Sequence, residues 1–360
     1  MNRRPTTKRS RREVTDVDRA TLEERFEDST GRPAKTFVLE AHAGDDPERF
    51  LAELATGGQV HPTDDAHLHV LDQGDLEFWV DHLDERFWSF HTWSSAHQAR
   101  RYLKDRVERR RDLDWTWLPS EHLSHVWPPS RPKLLYCDFR GERFLPEGSL
   151  ARRLQIRILG ENTDELINII AGREEYAAAI SVDQVAVHAI DPAFGMVDEA
   201  VNRTGRFIAT GDSFALHQEF VSGVVKRYRR LVETVEQYLV KWRGLEEGGA
   251  TIEGAPITIQ LSRPIEDLDA FLAQLFSSRE PFRLWGIPEI SSNTAEVDAV
   301  DLHVGQRLRF ELGQRWIRVF LYEGGCGNSI ARLASNLQHR YDATLTLMQD
   351  DLAVALRAGH

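Results

Sequence analysis

Apolar residues along this chain switch between two periods in a repeated order. A strand-like run at 36–40 (Thr-Phe-Val-Leu-Glu) leads into Asp46-Pro47, and then Phe50, Leu51 and Leu54 fall at helical spacing. Runs of strand formers follow at 59–61, 67–72, 76–81 and 86–92, and a helical pattern at 96–110 closes the unit. The order resumes at 154–159, where Asn162-Thr163-Asp164-Glu165 starts a helix with Leu166, Ile169 and Ile170 on its apolar face. It resumes again at 257–261. Pro264, a helix at 265–276, strands at 307–312 and 316–322, a helix at 329–340 and an apolar stretch at 344–348 follow.

Three histidines mark the register of these units. His69, His188 and His303 each sit in a short apolar stretch, and about 25 residues later come the helix starts Ser94-Ser95, Asp212-Ser213 and Gly327-Asn328-Ser329. Units one and two align at an offset of 119, which pairs Phe37 with Ile156 and His69 with His188. The predicted fold is α+β: three tandem degenerate β-α-β-β-β-β-α units with antiparallel sheets, at 36–110, 154–243 and 257–348. Residues 1–35 are expected to be a disordered basic tail and leader, 244–256 a flexible acidic linker, and 349–360 a C-terminal tail. Residues 111–153 hold Trp115, Trp117, Trp127, Pro128 and Pro129, and read as a folded insert between units one and two.

The element order resembles the half-repeat of TATA-box-binding-protein-like folds. The resemblance covers the three units, rests on element order alone, and differs in having three copies rather than two. It implies curved antiparallel sheets with helices on one face, and it admits nucleic-acid recognition.

Composition limits that last implication. The chain has 360 residues and a net charge of −12. Its first twelve residues carry six positive charges and no negative one, which leaves −18 on the rest. An acidic body with a basic tail is not the footprint of a duplex-wrapping protein. No run of 18 apolar residues occurs, so no membrane span is expected. Two cysteines imply no disulfide framework and point to a reducing cytoplasm.

Three features depart from the repeat. The first is the turn at Gly324, Gly325, Cys326, Gly327, Asn328 and Ser329, whose free N–H groups at a helix start suit an anion and whose Cys326 suits a nucleophile. The plainer reading is a strand-to-helix turn capped by Asn328 or Ser329, with no histidine partner for the thiol in view. The second is the helix at 213–243, where Val221, Val224, Tyr228, Leu231, Val235, Tyr238 and Trp242 form a three-heptad seam fit for self-association. The third is the Trp-rich insert. Other groups read as structural. The recurrent histidines fall in different units, so no metal set is assigned, and His82, His91, His97, His122 and His125 with Asp81, Asp84 and Glu85 lack a fixed ligand spacing. Aromatics at 78–93 suit base stacking in part but core packing more. The expected function is a self-associating, non-enzymatic binding or scaffold protein with a protein partner and no cofactor. Alternatives are nucleic-acid binding by sheet faces or the basic tail, and a cysteine-dependent enzyme using Cys326.

Overall fold

The structure is a computed structural model that describes residues 19–28, 32–126, 132–149, 152–244 and 250–357. The charged segment 1–12, Trp127, Pro128 and Pro129 lie outside the described residues. Unit one contains β1 (Ala34–Ala41), α2 (Pro47–Leu54), β2 (Gln59–Pro62), β3 (Leu68–Asp72), β4 (Glu77–Asp81), β5 (Phe87–Thr92) and α3 (Ala96–Arg109), preceded by α1 (Arg19–Asp28). The insert supplies β6 (Leu113–Trp115), α4 (Ser120–Ser124) and β7 (Leu134–Arg140). Unit two holds β8 (Arg153–Leu159), α5 (Thr163–Ala171), α6 (Glu174–Ala177), β9 (Val182–Asp191), β10 (Gly195–Asn202), β11 (Arg206–Gly211) and α7 (Phe214–Glu236). A hairpin, β12 (Lys241–Gly244) and β13 (Ala250–Glu253), leads to unit three: β14 (Ile257–Gln260), α8 (Leu268–Leu275), β15 (Leu284–Ser291), β16 (Thr294–Asp301), β17 (Arg307–Leu312), β18 (Trp316–Leu321) and α9 (Asn328–Arg340). β19 (Thr346–Leu347) and α10 (Asp350–Leu356) end the chain's described part.

The α+β class with antiparallel sheets is what the periodicity predicts. Units one and three share a strand order. In unit one it is β2-β3-β4-β5-β1, and in unit three β15-β16-β17-β18-β14, so the opening strand lies beside the last. Unit two departs from this. Its β11 pairs with β1 of unit one (Phe37 opposite Arg206), so β8 is displaced to the far edge, with β7 of the insert between it and β9. Phe37 and Ile156 therefore match in sequence but not in sheet position. The histidine register is likewise partial: His69 and His188 are on β3 and β9, whereas His303 follows the end of β16.

Pairing on both sides explains the burial of β1, all eight residues of which are buried. Trp79, Trp88, Phe78, Phe87 and Phe90 are buried too, which removes the base-stacking reading of unit one's aromatics. Trp115 and Trp117 of the insert join the core formed by Phe78, Trp88 and Phe90.

Both expected tails are in part packed structure. α1 buries Leu22 and Phe26, and the Phe26 ring lies 5.7 Å from Phe214 and 6.2 Å from His217. α10 buries Leu352 and Leu356. The linker contains the β12–β13 hairpin rather than a flexible run alone. Replacing Phe26 with Ala is expected to cost about 3–5 kcal/mol, read as a lower denaturation midpoint, because the site cannot close around the lost ring. A loss under about 1 kcal/mol would mean that α1 is only loosely attached. Among the described residues no helix is long and apolar enough to cross a membrane.

Candidate metal centre

The site forms where β1 ends, β16 turns and α9 begins. β1 is a run of buried strand residues with one carboxylate near its end: Glu40 is fully buried, and His42 just beyond the strand is exposed to a cleft. The β16 turn presents His303, fully buried, with its backbone N–H donated to Asp301 Oδ1 at 2.9 Å. The β18–α9 turn presents Cys326, 4% exposed.

One donor atom from each of Glu40, His42, His303 and Cys326 lies within 4.8 Å of the other three. Cys326 Sγ is 3.3 and 3.4 Å from the two Glu40 oxygens and 4.0 Å from His42 Nε2. His303 Nε2 is 3.0 Å from Glu40 Oε2. Donors bound at 2.0–2.3 Å around one tetrahedral ion sit about 3.3–3.6 Å from one another; the Cys326–Glu40 contacts fall in that range, whereas the His303–Glu40, His42–Glu40 and His42–Cys326 separations of 3.0, 3.8 and 4.0 Å lie just outside it.

Charge explains why a cation suits the place. Burial alone raises the Glu40 carboxyl, but His303, Arg86 and His42 outweigh it and hold it well below the usual carboxylate range. Burial, with Glu40 beside it, holds the Cys326 thiol well above its ordinary value. Burial keeps His42 below the ordinary imidazole range, so it stays a neutral donor. Arg86 is the resident cation. Its Nε donates to Glu40 at 2.6 Å, its Nη2 to Glu236 at 2.6 Å, and the same nitrogen lies 3.4 Å from Cys326 Sγ. With Arg86 against Glu40 and Glu236, ionising the thiol leaves a net charge of −2, which one divalent ion balances.

The support of the site is itself buried and polar. Arg332 reaches Asp301 at 2.5 Å and also contacts Asp114, while Arg283 lies 3.4 Å from Asp114. Ser329 hydrogen-bonds Asp301, and Tyr228 hydrogen-bonds Asn328. This frame fixes the β16 turn against α9, and so His303 against Cys326. A cleft of about 910 Å³ reaches His42 and Cys326, with Arg86, Glu236 and Gln306 among its walls.

The sequence pattern of one family, described as "MJECL33-like protein", matches residues 11–354. The chain belongs to the MJECL33-like protein family. It is 24% identical over 355 residues to a protein of Methanocaldococcus jannaschii described as uncharacterised protein MJECL33, covering 87% of this chain and 85% of that one. No solved structure matches the chain.

In this member of the MJECL33-like family the turn at 324–329 is not the anion cradle its sequence offers. The Gly327 N–H donates to Glu236 Oε1 at 2.9 Å, so an internal carboxylate fills the helix start. Gly325 N–H and Ser329 N–H bond backbone carbonyls within the turn. Asn328 and Ser329 do not cap α9, since their side chains are bound to Tyr228 and Asp301. Two glycines are required there. Gly324 has φ +81°, and a Cβ on Gly327 would stand 2.2 Å from the Val232 carbonyl of α7.

The helical seam is spent inside the chain. α7 ends at Glu236, and Val221, Val224, Tyr228, Leu231 and Val235 are buried in the chain's own core. Tyr238 is half-buried and bonds Asp351 of the C-terminal helix, while Trp242 is exposed on β12. A second copy therefore cannot pair through this seam without opening the fold.

The other titratable groups are engaged away from this site: His82 Nε2 lies 3.2 Å from His69 Nδ1, and His91 Nδ1 lies 2.7 Å from the Thr36 hydroxyl. Asp81 is held by Arg19 and Asp84 by Arg229, and His122 Nδ1 faces the Leu356 carbonyl. Thr36, His217 and Glu199 form a hydroxyl–imidazole–carboxylate chain with 2.7 Å links, but all are at most 1% exposed, so no substrate reaches them. Sequence reasoning singled out Cys326 and His303 separately and missed Glu40 and His42. The available signal was Glu40-Ala41-His42 itself, a carboxylate and an imidazole directly after the apolar run Phe37-Val38-Leu39.

Proposed function

We propose that this protein binds one divalent transition metal, zinc by donor chemistry, through Cys326, His303 and His42 with Glu40 beside it, and uses it to activate water for hydrolysis of a ligand in the 910 Å³ cleft. The observation that carries this reading is the convergence of the four donor atoms at the cleft floor. A purely structural zinc site is closed, whereas this one has two of its donors in the cleft wall. Cys326, His303 and His42 would supply three ligands and leave a fourth position open to water from the cleft. Glu40, held by Arg86 at 2.6 Å, would orient a water bound there and accept its proton.

A thiol nucleophile is the weaker reading. His42 at 4.0 Å is its available base, but burial, with Glu40 against the sulfur, opposes thiolate formation unless a cation is present. The scaffold and nucleic-acid readings gain no support from the seam or from unit one's aromatics, both of which are packed inside. Metal-stripped protein titrated with zinc against a chromophoric chelator is expected to take up one ion per chain. Uptake that is equal in wild type and in the Cys326→Ser, His303→Ala double variant would overturn the proposal.

A further inference from the structure

A second cleft opens on the other side of the segment that carries His303. Leu302 lines this cleft, whereas Val304 and Gln306 line the first, and Arg111 belongs to both. Its volume is about 580 Å³, within the range of small-molecule pockets. Arg109, Arg110, Arg111, Arg143, Arg279 and Arg283 line it, against two carboxylates, Glu108 and Glu280. That balance is the reverse of the chain's −12.

The arginines fall into two sets. Arg110 is tied to Asp112 at 2.7 Å, Arg109 to Asp105 at 2.8 Å, and Arg283 to the carbonyls of Leu113 and Arg110. Arg111, Arg143 and Arg279 are exposed and form no ion pair among the described residues. Three unpaired guanidinium groups around one concavity repel one another, and a multivalent anion removes that repulsion. Guanidinium forks match phosphoryl oxygens in shape as well as charge. Glu280 adds a second observation: its Oε1 is buried with no hydrogen-bond partner among the described residues. Burial, with Asp114 nearby, pushes this carboxyl up to about 7. Near neutral pH its protonated form is therefore available to donate an O–H to a phosphoryl oxygen.

We infer that this cleft binds the phosphate chain of a small polyphosphate ligand, either inorganic polyphosphate or a nucleoside triphosphate, with Arg111, Arg143 and Arg279 as its free clamps. The inference stands on the cleft alone and does not require the metal reading.

The test is calorimetry with tripolyphosphate and with ATP on metal-free protein, at about 0.15 M salt so that loose surface attraction is screened. The protein is compared with Arg143→Ala, Arg279→Ala, the distant exposed Arg318→Ala, and Cys326→Ser. Both Arg143 and Arg279 are exposed, so their removal leaves the core intact. One binding site is expected, weakened at least about tenfold by either cleft variant, as loss of a charge-assisted hydrogen bond requires. Arg318→Ala and Cys326→Ser are expected to bind as wild type does, which separates this cleft from the metal centre. Equal affinity for the two ligands supports recognition of the phosphate chain alone, and tighter ATP binding supports recognition of the nucleoside as well. The inference is overturned if neither ligand binds or if the cleft variants bind unchanged.

Discussion

Replacing Arg332 with Met is expected to destabilise the protein by about 3–5 kcal/mol, the usual result of removing one partner from a buried ionic set. Arg332 is 1% exposed and lies between Asp114 and Asp301, which are equally buried. Its Nε also donates to the Phe282 carbonyl at 2.9 Å. Methionine fills the volume and leaves two carboxylates facing each other without their shared cation, although Arg283 stays near Asp114. The comparison is Arg318→Ala, which breaks the 3.6 Å pair with Glu311 at a half-exposed position and should cost under about 1 kcal/mol. Urea denaturation of both variants measures the difference. Equal losses would show that the buried set contributes no more than a surface pair.

The largest expected functional effect is at His303. His303→Ala should weaken zinc binding by at least about a hundredfold, more than the loss typical of a supporting residue around a metal. Apart from its Nε2 contact with Glu40, the ring makes no hydrogen bond among the described residues: its Nδ1 has no partner there, and its backbone, not its ring, is held by Asp301. Zinc affinity of the wild type is also expected to fall as pH falls, because the metal takes the thiolate and the proton competes for it. The sign follows from the ligand: more protons in solution favour the metal-free thiol. A His303→Ala protein that is folded and binds zinc as tightly as wild type would remove this residue from the site.

How far the chain could be read in advance depended on the range of the contacts involved. Local periodicity gave the helices and most strands, since a helix face such as Phe50, Leu51 and Leu54 is written within eight residues. Strand partners are not local. Nothing near 206–211 states that it pairs with β1 instead of with its own opening strand, and that pairing breaks the symmetry of unit two. Amphipathic pattern likewise marks α7 as having an apolar side without saying what covers it, and the cover proved to be the chain's own core. The site is the extreme case. Glu40 and Cys326 are 286 positions apart, and Glu40 and His303 are 263 apart, so no spacing rule connects them. Turn chemistry at 324–329 was visible, but its Gly327 N–H is taken by Glu236 from another helix, and the Gly325 and Ser329 N–H groups by backbone carbonyls.

The metal proposal can be tested most directly by cobalt(II) absorption. Cobalt occupies zinc sites and reports its ligands, because a bound thiolate gives an intense sulfur-to-metal charge-transfer band. Metal-free wild type titrated with cobalt is expected to develop that band to a plateau at one ion per chain, together with the visible bands of four-coordinate geometry. Cys326→Ser is expected to lack the charge-transfer band. Wild type that shows only the weak spectrum of hydrated cobalt, or Cys326→Ser that retains the band, would contradict the account.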